Sequence, residues 1–99
     1  MSEIDVIAGL DWNLIPKLEV LLTERHLTRA AQRLGVGQPA MSHVLRRARA
    51  VLGDPLLVRT REGWGLTSRA QRLVPHLKAA REALAEALAV GEAFAPATV

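Results

Sequence analysis

The stretch "LTRAAQRLGVGQPAMSHVLRRAR", from Leu27 to Arg49, carries two helical patterns separated by a break too short to be a linker. Thr28 precedes Ala30, Ala31 and Leu34, and its hydroxyl can accept from the N–H groups of the next turn. The spacing therefore predicts a two-turn helix capped by Thr28 and closed by Gly35. After Gly37, Pro39 suits the first turn of a further helix, where its missing N–H is not needed. Met41, Val44, Leu45, Ala48 and Leu52 then follow the i, i+3, i+4, i+7, i+11 spacing of one buried face, and Gly53 ends the run. The small alanines of the first helix let the second approach closely. Two helices held this tightly match a helix-turn-helix, whose second member is built to enter the major groove of DNA.

Opposite the buried stripe of the second helix lie Pro39, Ser42, His43 and Arg46, with Gln38 at its start and Arg47 and Arg49 at the flanks. A major groove about 12 Å wide admits a helix whose leading side chains are short, and its base edges need the donors and acceptors that Gln, Ser and His supply. The arginines toward the other end suit phosphates, which give affinity without sequence information. Taken singly, Gln38 or Ser42 would more simply serve a local backbone group. Their shared face points instead to a binding surface. His43 lacks the Cys, His or acidic neighbours that a metal site needs, so it is assigned to DNA contact, and no metal or other cofactor is expected.

Charge is distributed in the same sense. From Arg25 to Arg81 there are twelve Lys or Arg against two acids, Asp54 and Glu62, while five acids precede this segment and three follow it. A basic middle between acidic ends implies a face for a polyanion, nucleic acid before anionic membrane. An arginine-rich solvated surface would give the same sum, so the outward face above carries the distinction. Every apolar run meets a charge or proline within a few residues, and no membrane span is expected. "MSEIDVIAGLDW" lacks the basic start and apolar run of a signal peptide, which places the protein in the cytoplasm. Cysteine is absent, excluding disulfides and thiol chemistry.

Around the pair, Leu14, Leu18, Leu21 and Leu22 repeat at helical spacing and predict a preceding helix to about Arg25, with Asp11 or Asn13 as cap and Pro16 in its first turn. "PLLVRTREGWGLT" predicts a small hairpin, Leu56 to Thr60 returning through Gly65 to Thr67. Arg59 and Arg61 would reach a backbone or minor groove from it, and Trp64 is assigned to packing. From Thr67 or Ser68 the composition turns strongly helical. Leu66, Ala70, Leu73, Leu77, Ala80, Leu84 and Ala87 alternate spacings of four and three, a coiled-coil seam that one helix cannot bury alone. Pro75 predicts a bend near Arg72 rather than a break. "AFAPATV" loses periodicity and reads as a linker. At 99 residues the chain is one small domain for which a partner copy or partner domain is expected.

These motifs in register, "LTRAAQRLGVGQPAMS", "LGDPLLVR", the "LT" entering the last helix and Pro75, resemble the N-terminal DNA-binding region of LysR-type bacterial transcriptional regulators over about residues 11–90. The resemblance implies a mainly α fold: a winged helix-turn-helix at 11–67, with three helices and a two-stranded wing, and then a long linker helix at 68–91. That helix would pair antiparallel with another subunit's through Leu73, Leu77, Ala80, Leu84, Ala87 and Leu88, giving a homodimer. Residues 92–99 would be a hinge toward a larger effector-binding domain, to which any small-molecule effector would belong. Carried over by position, base reading falls on Gln38, Pro39, Ser42 and His43, and phosphate or minor-groove contact on Thr28 and Arg61. This sequence departs from the family pattern at Gly37, where a serine or threonine cap is usual, and at His43, often an arginine. Leu57 replaces a frequent phenylalanine, and Arg69-Ala70 stands where Ala-Gly is common.

The function expected is therefore sequence-specific binding of double-stranded DNA, as a dimer on an interrupted inverted repeat. A ligand-responsive repressor of the multidrug-resistance type and a winged-helix module that binds protein are the alternatives. The latter would present an apolar or acidic face where Ser42, His43 and Arg46 stand. An enzyme is not expected, because Asp54 and Glu62 have no histidine partner nearby in sequence.

Overall fold

The computed structural model describes residues 2–88 and contains five helices and one hairpin among them: α1 (Glu3–Ala8), α2 (Leu14–Glu24), α3 (Leu27–Leu34), α4 (Gln38–Leu52), β1 (Leu57–Thr60), β2 (Gly63–Leu66) and α5 (Ser68–Ala87). The expected hinge at 92–99 and the last residues of the expected linker helix, 89–91, lie outside the described residues. Burial follows the apolar periodicity. Leu18, Leu21 and Leu22 of α2, Ala30 and Ala31 of α3, and Met41, Val44, Leu45 and Ala48 of α4 form one core with Leu56, Leu57, Ala70 and Leu77. Ala30, Met41 and Ala48 are wholly shielded from solvent. A larger side chain at Ala30 would have to displace its buried neighbours.

The turn between α3 and α4 is closed by backbone geometry. Gly35 takes a left-handed φ of 68°, its N–H donates to the Gln32 carbonyl, and the Val36 N–H donates to the Ala31 carbonyl. This double closure satisfies the last carbonyls of α3 and turns half-buried Val36 back onto the core. Pro39 sits in the first turn of α4, and Gly37 before it offers no side-chain cap.

Three start signals differ from expectation. α3 is capped by His26, whose Nδ1 accepts from the Arg29 N–H at 3.3 Å, and not by Thr28, which lies inside the first turn. His26 has the extended backbone that a cap position needs (φ −158°, ψ 123°). Asn13 stands at the cap position of α2, as one of the two expected residues, but its side chain makes no capping bond; the Asp11 carboxylate accepts instead from the Asn13 N–H at 3.0 Å, forming a turn one step too early. α1 is an element outside the expectations above; Ser2 and Asp5 cap it reciprocally, yet none of its residues is buried.

β1 and β2 pair antiparallel, with Leu57 opposite Leu66 and Thr60 opposite Gly63. Only Arg61 and Glu62 connect them, tighter than the sequence predicts, because Gly63 supplies a φ of 114° that no side-chain-bearing residue adopts easily. Thr67 then leaves the strand and becomes the cap of α5, accepting from the Ala70 N–H at 3.1 Å. α5 runs unbroken through Pro75. Its inner face, Ala70, Leu73 and Leu77, packs on the core beside α2.

Candidate nucleic-acid interface

With its apolar stripe against α2 and α3, α4 has no freedom about its own axis, and the residues it turns outward are fixed by that packing. Gln38, Pro39, His43, Arg46 and Arg47 are exposed and Ser42 is half-buried. The face derived from helical spacing is thus present on the surface. Gly37 leaves the first turn of α4 without a side-chain cap, a loss of only a few tenths of a kcal/mol relative to the usual capping residues.

One contributor comes from elsewhere in the chain. Lys17 of α2 joins His43 and Arg47 around a shallow cleft of about 230 Å³, together with Asp11, Asn13, Ala40 and Val44. Sequence spacing does not reveal it, since Lys17 precedes His43 by a whole helix and the turn after it. The cleft places two cations and one carboxylate beside the helix tip.

Arg49 is brought to a different place from that expected of a phosphate contact. Its Nε donates to the Pro55 carbonyl and its Nη2 to the Leu57 carbonyl, both at 2.8 Å. The guanidinium therefore fastens the end of α4 to the start of the wing. Charge-assisted bonds to two carbonyls in a fixed fork are what a planar guanidinium makes better than an ammonium.

On the wing, Arg59 stands opposite Trp64 in the strand register, and its guanidinium carbon lies 4.9 Å from the centre of the indole ring. Trp64 itself packs against the core, as assigned, so it serves as both support and platform. Arg61 occupies the exposed tip, and the Thr60 hydroxyl donates to the Gly63 carbonyl at 2.9 Å, bracing the turn. Thr28 is half-buried in the first turn of α3.

The ion pairs lie away from this face. Among the described residues, ion pairs form between Arg33 and Glu24 at 3.0 Å and between Arg81 and Glu19 at 2.6 Å. None forms on Arg46, Arg47, Arg59 or Arg61, nor on Lys17, Arg25, Arg29, Arg49, Arg69, Arg72 or Lys78. Asp54, one of the two acids in the basic middle, is turned inward to the base of α5. Its carboxylate accepts from the Thr67 hydroxyl at 2.7 Å and from the Leu56 N–H at 2.8 Å. These bonds, Thr67 first, with Arg69 and Arg72 nearby, hold its pKa below the usual carboxylate value. Among the described residues no three His, Asp or Glu side chains converge as a metal would need, and no helix is long and apolar enough to cross a membrane.

The seam of α5 divides in two. Leu73 and Leu77 face their own domain, with Leu77 only 8% exposed, and Ala80 is half-buried. Further along, Leu84 is 39% exposed and Leu88 73% exposed, and Ala87 is exposed too. The first part has its partner in α2. Nothing among the described residues covers the second.

A family model described as bacterial regulatory helix-turn-helix protein, lysR family, matches residues 12–71, more than half of the chain. The HTH-type transcriptional activator NahR of Pseudomonas putida is 42% identical over 92 residues, which are 93% of this chain and 31% of that protein. The crystal structure of the probable transcriptional regulator PA0477 from Pseudomonas aeruginosa superimposes with a TM-score of 0.79 at 33% identity, covering 96% of this chain and 32% of that one. The CbnR_DBD–DNA complex shares the fold, with a TM-score of 0.71 at 22% identity over 79% of this chain and 90% of that one. The chain spans about a third of the length of such full-length relatives. With the matched segment running from before α2 into the start of α5, and so taking in the helix pair, the wing and the joint between them, the chain belongs to the lysR family of bacterial regulatory helix-turn-helix proteins.

Proposed function

We propose that the chain is the sequence-specific DNA-binding region of a transcriptional regulator and binds an interrupted inverted repeat as a homodimer. In this reading α4 lies in the major groove, with Gln38, Pro39, Ser42 and His43 toward base edges and Arg46 and Arg47 toward phosphates. Arg59, Arg61 and Thr28 meet the backbone or the minor groove on either side. The observation that carries the reading is the exposed row of α4, Gln38, Pro39, His43 and Arg46, held outward by the packing of the opposite apolar stripe.

The second copy joins through the distal part of α5, where Leu84, Ala87 and Leu88 stand open to solvent. Ala80 lies at the border of that patch. Leu73 and Leu77 support it from within their own domain. A small-molecule effector, if the regulator answers to one, belongs to the two-thirds of its relatives' length that this chain does not span. The cytoplasm, where bacterial DNA lies, is the compartment this function requires. The family match and the DNA complex of a relative of the same fold favour this reading over a repressor of the multidrug-resistance type or a protein-binding winged helix.

Selection of bound duplexes from a random pool tests it. Two copies of one short motif, inverted and separated by a gap, are expected to be enriched. A pool that stays random, with binding that depends only on salt, would reduce the chain to a non-specific polycation.

A further inference from the structure

α5 is fastened to the winged domain by polar contacts at two separated places. At its start, the Asp54 carboxylate accepts from the Thr67 hydroxyl at 2.7 Å, while that same oxygen of Thr67 accepts from the Ala70 N–H at 3.1 Å. The Thr67 N–H donates to the Leu56 carbonyl at 2.9 Å, and Arg69 donates to the carbonyl of Leu52, the last residue of α4. Leu56, wholly buried, is held at φ 64°, a left-handed conformation that a leucine keeps only when its surroundings dictate it. Its N–H goes to Asp54 and its carbonyl receives from Thr67. Further along, the Arg81 guanidinium donates through Nε and Nη2 to both oxygens of Glu19 on α2, at 2.6 and 3.1 Å.

Capping α5 requires Thr67 alone. The added carboxylate and the arginine tie that cap to the end of α4, so they act on the direction of the helix rather than on its existence. Just past the first fastening the exposed Gln71 amide donates to the Leu66 carbonyl at 3.3 Å, and from there to Arg81 the contacts with the core are apolar, through Leu73 and Leu77, and apolar contact is non-directional. Two points define a line, and here both are polar and oriented.

We propose that these two fastenings, Asp54–Thr67–Arg69 and Glu19–Arg81, fix the angle between α4 and α5, and that their residues are positioning residues for half-site spacing rather than for base identity. The inference rests on the dimeric DNA-binding reading above. A helix of 20 residues is about 30 Å long, so a rotation of about 6.5° at its base moves its far end by about 3.4 Å, one base-pair step. A dimer joined at the far ends of two such helices discriminates gaps of neighbouring length only if that angle is held more tightly than this.

The test uses the 99-residue chain, the inverted repeat recovered by selection, versions of it with the gap changed by one or two base pairs, and an isolated half-site. Affinity is read by fluorescence anisotropy at one salt concentration. The unaltered chain is expected to lose about tenfold in affinity for each base pair added or removed. Asp54→Ala, Thr67→Val and Glu19→Gln are expected to flatten this to about threefold or less while leaving half-site affinity and the selected bases as they were. Thr67→Ser, which keeps the hydroxyl, retains the full spacing preference, and the exchange Glu19→Arg with Arg81→Glu restores it. Circular dichroism identifies any variant that fails to fold; Glu19→Gln, which keeps the side chain's shape and lies away from the cap, then decides. Folded variants that keep the unaltered spacing profile, or that change the selected bases, would overturn the proposal. If the unaltered chain prefers no gap at all, the dimeric DNA-binding reading has failed instead.

Discussion

Replacing Arg49 with methionine keeps the apolar stem and removes both donors that hold the Pro55 and Leu57 carbonyls. A hydrogen bond from a charged donor contributes about 1.5–3 kcal/mol when shielded from water. The bond to Pro55 is exposed and the bond to Leu57 only part-buried, so water partly replaces the lost guanidinium and the sum is discounted to about 2–3 kcal/mol. For a domain of this size each kcal/mol shifts the midpoint of thermal unfolding by about 4–8 °C, so Arg49→Met should unfold on the order of 10–20 °C lower. Circular dichroism at 222 nm gives the midpoint directly. Arg46→Met serves as the control, since Arg46 is exposed and holds no carboxylate, and its midpoint should move by no more than about 2 °C. An Arg49→Met midpoint equal to the control's, with DNA affinity lost, would mean that Arg49 spends its charge on phosphate and that the fork to the wing contributes nothing.

Arg46→Ala and Arg61→Ala should each weaken binding to all DNA and make the dependence of log affinity on log salt shallower by about one unit, leaving the selected sequence unchanged; an unchanged slope with an altered sequence would reverse their roles. His43→Arg should sharpen selection for guanine in each half-site, because a bidentate contact discriminates by about 1–3 kcal/mol where histidine makes one bond. Ser42→Ala should cost less than Gln38→Ala in the same assay. Identical site profiles for wild type and His43→Arg would mean that residue 43 does not face the bases. Leu84 and Leu88 together expose little more than one leucine's worth of surface per copy, so the double change to Glu should weaken self-association by about a hundredfold or more without unfolding the chain. Leu77→Glu should unfold it. Sedimentation of a monomeric wild type at tens of micromolar would remove the distal patch as a dimer surface.

What could be seen in the sequence was whatever depends on neighbours along the chain. The stripe from Met41 to Leu52 and the leucines of α2 announce their buried faces by period alone, and the outward row on α4 follows by subtraction. Gly35 and Thr67 mark helix ends because their backbone or hydroxyl chemistry is rare elsewhere. Contacts between distant residues left no such trace. Lys17 beside His43, Arg49 on the wing carbonyls and Asp54 on Thr67 each depend on how elements pack, and no spacing rule encodes them. His26 was obscured for another reason: histidine is an uncommon cap, and a threonine two residues later satisfies the usual pattern. The seam of α5 shows the limit of periodicity itself. Spacings of three and four tell that a face is apolar, but not whether α2 of the same chain or a second chain covers it; the first half proved to be covered by α2.

Arg59 resting on Trp64 has a thermodynamic consequence for the wing. A free arginine side chain gives up as much as about 2 kcal/mol of rotamer entropy when a ligand immobilises it, a loss that Arg61 at the open tip would bear in full. The ring beneath Arg59 favours the stacked conformers before any ligand arrives, by about 0.5–1 kcal/mol at an exposed site. The two wing arginines carry equal charge, yet in the proposed complex contact through Arg61 would weaken on warming more than contact through Arg59, as its larger entropy loss is weighted more heavily. The wing thus holds one arginine poised and one searching.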